Sequence, residues 1–341
     1  VNAPAQSSEQ ARFWPVLLTL LMITAIAVVL SLLAGHGELQ NDDLRETFLQ
    51  LRGARTAVAF ISGASLAVGG VLVQGLFRNP LASPSVIGTT SGASLGGQAA
   101  LLFFQLGLGG IAPAWMLPEM VLPLGCVVGA LGALFILLFI ARFHGDLIVL
   151  LLTGFLLSSL FVSIGSFLIR LAQDSWELGR AIVTFTLGSV AGAGPRQILL
   201  ALPLSILGIV AAFFWAAPLD LLLSGEDEAE SLGVDVKLVR RWTVVWTGLL
   251  TAAAVSVGGN VGFVGLVAPH VLRPFLGSAH RRLVPASALT GGAFLILADT
   301  IARVVVPGGE IPLGVVTGIV GAPLFLILLV RMRMREAGHA G

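Results

Sequence analysis

The amino-acid sequence predicts an all-α membrane protein, a bundle of ten transmembrane helices. Composition is the first observation: 56% of the 341 residues are hydrophobic, 11% are charged, and the mean hydropathy is +0.98. A soluble domain carries roughly 25% charged residues to cover its surface, so lipid must cover here what charge does not. Length is the second. A spanning helix needs about 20 apolar residues because the hydrocarbon core is about 30 Å thick, and charge-free runs of that size recur along the whole chain. The third is glycine, with 42 residues, many of them inside those runs. Small residues at helical spacing let backbones approach closely in lipid, where no hydrophobic force draws helices together.

Taken in order, residues 1–12 form an N-terminal tail, and the first span is Phe13–Gly35. It exceeds the roughly 7–15 residues of a signal-peptide apolar core and is read as a retained helix. Ala57–Leu76 carries Ser62-Gly63-Ala64-Ser65 and Gly69-Gly70, and Val86–Gly107 carries Ser91-Gly92-Ala93-Ser94 and Gly96-Gly97. These faces predict tight packing of the second and third spans. Met116–Ile140 and Leu147–Ile169 follow. The lone Cys126 allows neither an intramolecular disulfide nor a cysteine-based metal cluster and is expected to be a small buried packer. Ile198–Ala217 is the sixth span, and the polar stretch 218–241 separates it from Trp242–Val257. The eighth, Val261–Leu276, is short and holds Pro269 and Pro274, as a broken or half-length helix would. Leu283–Val306 and Ile311–Val330 complete the domain 13–330, and 331–341 is a basic tail.

Ten spans put both ends on one side, and the basic residues choose which. With a cytoplasmic N-terminus, twelve of the nineteen Lys and Arg lie inside (Arg12, Arg78, Arg142, Lys237, Arg240, Arg241, Arg273, Arg281, Arg282, Arg331, Arg333 and Arg335). Seven lie outside (Arg45, Arg52, Arg55, Arg170, Arg180, Arg196 and Arg303). The positive-inside rule favours that orientation.

Several functions are excluded or disfavoured at this level. A net charge of +1 offers no basic field for nucleic acid. A P-loop needs a lysine after its glycines to reach the phosphates, and the only lysine is Lys237, in Val234-Asp235-Val236-Lys237-Leu238. If transport is driven by ATP, another subunit hydrolyses it. Five scattered histidines and one cysteine make no nucleophile–base pair and no metal site. A secondary transporter would need ionisable groups at mid-membrane, and Asp299, near a helix end with Arg303 one turn on, is the only acid that comes close.

Within 218–241, Ser224 is placed to cap a short helix with Asp227 at its third position, and Glu226, Asp227, Glu228 and Glu230 suit its first turns. Ala229, Leu232 and Val236 would share an apolar side and Gly233 would end the helix. The expected role is docking of a cytoplasmic partner.

Longer motifs carry a resemblance. Arg52-Gly53-Ala54-Arg55, the run Gln74 to Pro84 around Arg78-Asn79-Pro80, and Gly88-Thr89-Thr90-Ser91-Gly92-Ala93 form one half of it. Gly262 to Pro269-His270, Ala298-Asp299-Thr300-Ile301-Ala302-Arg303, Pro312-Leu313-Gly314 and Gly321-Ala322-Pro323 form the other. From about Arg52 to the C-terminus the chain resembles the bacterial permease family that imports iron chelates, haem and vitamin B12. The resemblance implies a ten-helix permease of an inner membrane that pairs with a second copy of itself and binds no cofactor or metal of its own. It further implies two cytoplasmic ATPase subunits that bind ATP, and a periplasmic substrate-binding protein that delivers the cargo, with haem the first expectation and ferric siderophores or cobalamin the alternatives. By the same resemblance, Ser224, Glu226, Asp227, Ala229, Leu232, Gly233 and Val236 lie in the coupling loop, and Arg52, Arg55 and Arg303 receive the binding protein. Gly53-Ala54 stands where the family often has Leu-Pro. Asn79-Pro80 and Pro269-His270 are expected at helix ends, and Asp299 is expected to pair with Arg303 while leaving that arginine partly available.

Overall fold

A computed structural model describes residues 3–34, 42–105, 118–142, 147–192, 194–306 and 309–339. Among them there are twelve α-helices and no strand. The helices are α1 (Ala3–Leu33), α2 (Asp42–Leu76), α3 (Thr89–Gln105), α4 (Pro118–Ala141), α5 (Leu147–Ala172), α6 (Trp176–Thr186), α7 (Pro195–Leu222), α8 (Glu226–Ser231), α9 (Val236–Gly258), α10 (Val264–Leu276), α11 (His280–Val304) and α12 (Leu313–His339). Each predicted run falls on a helix: the first five on α1 to α5, the sixth on α7, and the last four on α9 to α12. Six of these (α1, α2, α4, α5, α7 and α11) are long and apolar enough to cross a membrane, while α10 and the apolar part of α12 are shorter. The two short helices, α6 and α8, have no counterpart among the predicted spans.

The small-residue faces decide which helix sits in the middle. In α2, 89% of the most apolar stretch is buried, against 17% in α1 and 22% in α5 and α7. The chain thus wraps around its second span. Gly63 of α2 meets Gly291 of α11 so closely that a methyl group on either would run into the other's backbone. The same relation holds between Gly96 of α3 and Gly129 of α4. Hydroxyls then tie helices where no water competes: Ser62 Oγ donates to the Ala254 carbonyl at 3.1 Å and Ser65 Oγ to Ser205 Oγ at 2.8 Å. Cys126 is fully buried as a free thiol beside Ala93, Ala130, Phe185, Ala252 and Val255.

Two boundaries differ from expectation for a local reason. The third span was expected from Val86, but Pro84–Ile87 form a 3-10 turn that Gly88 closes in the left-handed region (φ +84°), so α3 begins at Thr89. The eighth span, expected from Val261, is α10, which begins at Val264 and has 13 residues, about 20 Å of rise, too short for the hydrocarbon core. Non-helical backbone flanks it, and protein satisfies the freed groups, as membranes require. At its two ends Gly259 N donates to Val255 O, Val264 N to Gly262 O and Gly277 N to Arg273 O, at 2.9–3.0 Å.

Candidate functional site

The charged groups gather at two opposite ends of the bundle. At the end where α2 stops, Arg78 adopts a left-handed conformation (φ +48°) and reverses the chain. Asn79 Oδ1 then accepts from Leu81 N at 2.9 Å, a side-chain-stabilised turn. Ala82 is buried beneath this turn, while Arg78, Asn79, Pro80 and Leu81 face outward. The expected helix-end position of Asn79-Pro80 is what the structure has. Pro269-His270 is different. It lies inside α10, where His270 is 6% exposed and sets its ring edge-on against Phe325, centroids 5.8 Å apart. Pro269 lacks the N–H that would donate to Gly265 O, and Gln74 Nε2 of α2 donates to that carbonyl at 3.3 Å instead, so α10 continues through the proline.

Beside the Arg78 turn lies α8. Its N-cap is Gly225 (φ +134°), with no side-chain capping bond, so Ser224 does not cap as expected. Gly225, in a positive-φ conformation that favours glycine, takes the N-cap position and leaves Ser224 one residue outside it. The expected apolar side of this segment also divides. Ala229 is fully buried and Val236 nearly so, both joined to Leu219, Leu222, Val239 and Leu276 in one core cluster, whereas Leu232 is 61% exposed. Gly233 ends the helix in the left-handed region (φ +86°), its amide donating to Glu230 O at 2.9 Å. Asp227 is exposed in the first turn, and Asp235 caps α9 by accepting from Leu238 N at 2.9 Å.

Glu226 locks the pieces together. Its Oε1 accepts from Arg240 Nη2 at 2.9 Å and lies 3.8 Å from Arg78 Nη2. Beneath, Asp220 Oδ1 accepts the His280 backbone N–H at 2.8 Å and meets His280 Nδ1 at 2.6 Å, tying the end of α7 to the start of α11. No local sequence pattern marks Arg240, Asp220 or His280 for these contacts, since their partners lie 14 and 60 residues away. Only Asp235, capping at the start of an apolar run, carried a readable local signal.

At the opposite end, arginines satisfy carbonyls that the last turn of α1 leaves open, a favourable place for cations. Arg52 Nη1 donates to Leu32 O and Leu33 O at 2.9 and 3.3 Å. Arg303 Nη2 donates to Ser31 Oγ at 2.8 Å and Nη1 to Ala34 O at 3.3 Å. Asp299 is the hub: its Oδ2 lies 3.2 Å from Arg303 Nε, and its Oδ1 accepts from Arg55 Nη2 at 2.8 Å. The expected Asp299–Arg303 pair is present, but Arg303 is 4% exposed and so is enclosed rather than partly available. Arg52 is likewise buried. Arg55 reaches the rim, where Glu310 accepts from both its Nη1 and Nη2 at 2.8 and 3.1 Å.

A cavity of about 350 Å³ opens at that rim, lined in part by Arg55, Arg180, Thr184, Ser189, Asp299 and Glu310. Another, about 410 Å³, lies between α3 and α5 and is lined by neutral polar groups including Ser91, Ser94, Gln98, Ser158 and Asn260. Among the described residues no group of three or more His, Cys, Asp or Glu side chains is placed to hold a metal ion.

Residues 15–331 match the model of the FecCD transport family. The chain belongs to that family. FecCD members similar to it include the Fe(3+) dicitrate transport system permease protein FecD of Escherichia coli K12, 40% identical across 84% of this chain and 85% of that protein. The hemin transport system permease protein HmuU of Yersinia pestis is 36% identical across 87% of each chain. The cobalamin import system permease protein BtuC of Halobacterium salinarum is 38% identical across 82% of this chain and 72% of that one. In three dimensions the fold superposes on a solved structure described as a metal-chelate type ABC transporter in an inward-facing conformation. The TM-score is 0.82 at 31% identity, covering 93% of this chain and 99% of the other.

Proposed function

We propose that this FecCD-family chain is the membrane-spanning permease subunit of an ATP-driven importer for a metal chelate. It works in a bacterial inner membrane with both termini in the cytoplasm, as the twelve-to-seven split of basic residues favours. Two copies form the pathway, two ATPase subunits dock from the cytoplasm, and a periplasmic binding protein delivers the cargo to the end that carries Arg52, Arg55 and Arg303.

The observation that carries this reading is the α8 surface. Ala229 and Val236 seat it on the bundle, Glu226 joins it to Arg240 and Arg78, and Leu232 is left outward. A segment fixed so firmly to several helices, yet presenting an exposed leucine, can pass a push from a docked subunit into α2, α7 and α9. Within the metal-chelate class haem is the proposed cargo. Ferric siderophores and cobalamin follow, because similar permeases bear names for ferric dicitrate, hemin and cobalamin.

Reconstitution in vesicles with the ATPase and binding protein encoded alongside tests the reading. Uptake should require ATP and favour haem when haem, a ferric siderophore and cobalamin are offered in parallel. Nucleotide hydrolysis by the isolated, contaminant-free chain, or uptake driven by an ion gradient without ATP, would refute it.

A further inference from the structure

The geometry points to the cavity beside Arg55 as a receptor for one carboxylate of a partner protein, with Arg180 as a second cation of that receptor and Glu310 as the resident anion that the incoming carboxylate displaces. This rests on the proposed docking of a binding protein at this end of the bundle.

The two carboxylates on Arg55 are not equivalent. Asp299, 2% exposed at its side chain, holds the inner edge of the guanidinium through Nε and Nη2. Glu310, 40% exposed, holds the outer edge through Nη1 and Nη2 in a two-pronged contact. That planar fork is the strongest way for a guanidinium to bind a carboxylate. A partner's carboxylate approaching from outside finds it already filled by one from this chain. Asp299 is enclosed and cannot yield. Glu310 sits on non-helical backbone ahead of α12, where water can take over its charge.

Arg180 extends the receptor. It is exposed on α6 and lines both the 350 Å³ cavity and a neighbouring one of about 460 Å³, and no ion pair to it is present among the described residues. The charged side chains lining the first cavity are Arg55, Arg180, Asp299 and Glu310, which sum to zero. With Glu310 turned to solvent the sum becomes +1, and a single carboxylate restores neutrality. Thr184 and Ser189 line the same cavity and offer hydroxyls for its remaining lone pairs. Exchange of one carboxylate for another keeps Arg55 paired at the start and the end, so an arginine that is 13% exposed at its side chain is never left bare.

The test uses the full chain in nanodiscs with its ATPase, and the binding protein encoded alongside as the probe. Glu310→Gln should bind the probe about fivefold more tightly, and Arg180→Glu about tenfold more weakly with a shallower salt dependence. Arg55→Glu should reduce binding further. Phenylglyoxal, which modifies accessible arginines, should label Arg180 in the unmodified protein and Arg55 only in Glu310→Gln, and bound probe should protect both. Elution and helicity establish that each variant folds, and Glu310→Ser serves if Glu310→Gln does not. Unchanged or weaker binding by the Glu310 variants, with Arg55 still unlabelled, overturns the displacement while weakened binding by Arg55→Glu keeps the docking reading. Unchanged binding by both Arg55→Glu and Arg180→Glu overturns the docking reading itself, and the receptor with it.

Discussion

Replacing Asp299 with Asn should cost about 3 kcal/mol of stability, and the number follows from what surrounds it. The carboxylate is 2% exposed and lies between Arg55 and Arg303, within 3.2 Å of each. Removing one partner of a buried ion pair typically costs about 3–5 kcal/mol because a desolvated charge is left behind. Here the arginines keep other partners: Arg55 has Glu310, and Arg303 has Ser31 and Ala34. The loss therefore falls at the low end of that range. Asparagine preserves the shape but turns an N–H toward the guanidinium groups, so little is recovered. Glu310→Gln is the matched control, since its carboxylate contacts the same Arg55 but is 40% exposed, and such pairs contribute about 0–1 kcal/mol. Reversible denaturant titration in detergent micelles would measure both. Arg303→Met supplies a double-mutant cycle, in which Asp299→Asn with Arg303→Met should cost less than the two singles added. A loss below about 1 kcal/mol for Asp299→Asn, or one equal to that of Glu310→Gln, would refute the claim that burial makes Asp299 the hub.

The coupling surface gives a contrast between two neighbouring substitutions. Leu232→Asp should leave stability within about 0.5 kcal/mol, because the side chain is 61% exposed, yet abolish stimulated ATP hydrolysis by the assembled transporter. Ala229→Asp should destabilise by several kcal/mol as an unpaired buried charge, and full transport by Leu232→Asp would sink the docking role. Close helix approach predicts that Gly63→Leu or Gly291→Leu lowers the melting temperature through at least about 1–3 kcal/mol of overpacking. Gly132→Leu, with open space around it, should not, and equal melting of all three variants would contradict the packing account. A native mass measurement on the active complex should find two copies of the chain, and one copy in a transporting complex would remove the homodimer.

What the sequence by itself determined about this protein is whatever depends on near neighbours along the chain. Hydropathy sums over some twenty consecutive residues, so the apolar runs could be read directly, and each falls on a helix. Gly63 and Gly96 marked close faces because spacing along a helix is a local property, and Pro269 with Pro274 marked α10 as short. Glu226, Asp227 and Gly233 announced a small helix ended by glycine. The helix α6 escaped because its eleven residues include Glu177 and Arg180. Its buried Leu178, Ile182 and Phe185 are too few to stand out in a window built for spans.

Only the tertiary structure decided which groups meet across the bundle. Glu310 is 255 residues from Arg55, and no periodicity links them. Nor does local pattern say that Ala229 and Val236 find a core to enter while Leu232 finds none, since that depends on where α7 and α9 lie. The same holds for Arg52 and Arg303, whose charge suggested an open surface. Their burial follows from the last turn of α1 arriving beside them with unpaired carbonyls. A buried charge is stable only against partners that the fold brings to it, and those partners lie on other helices.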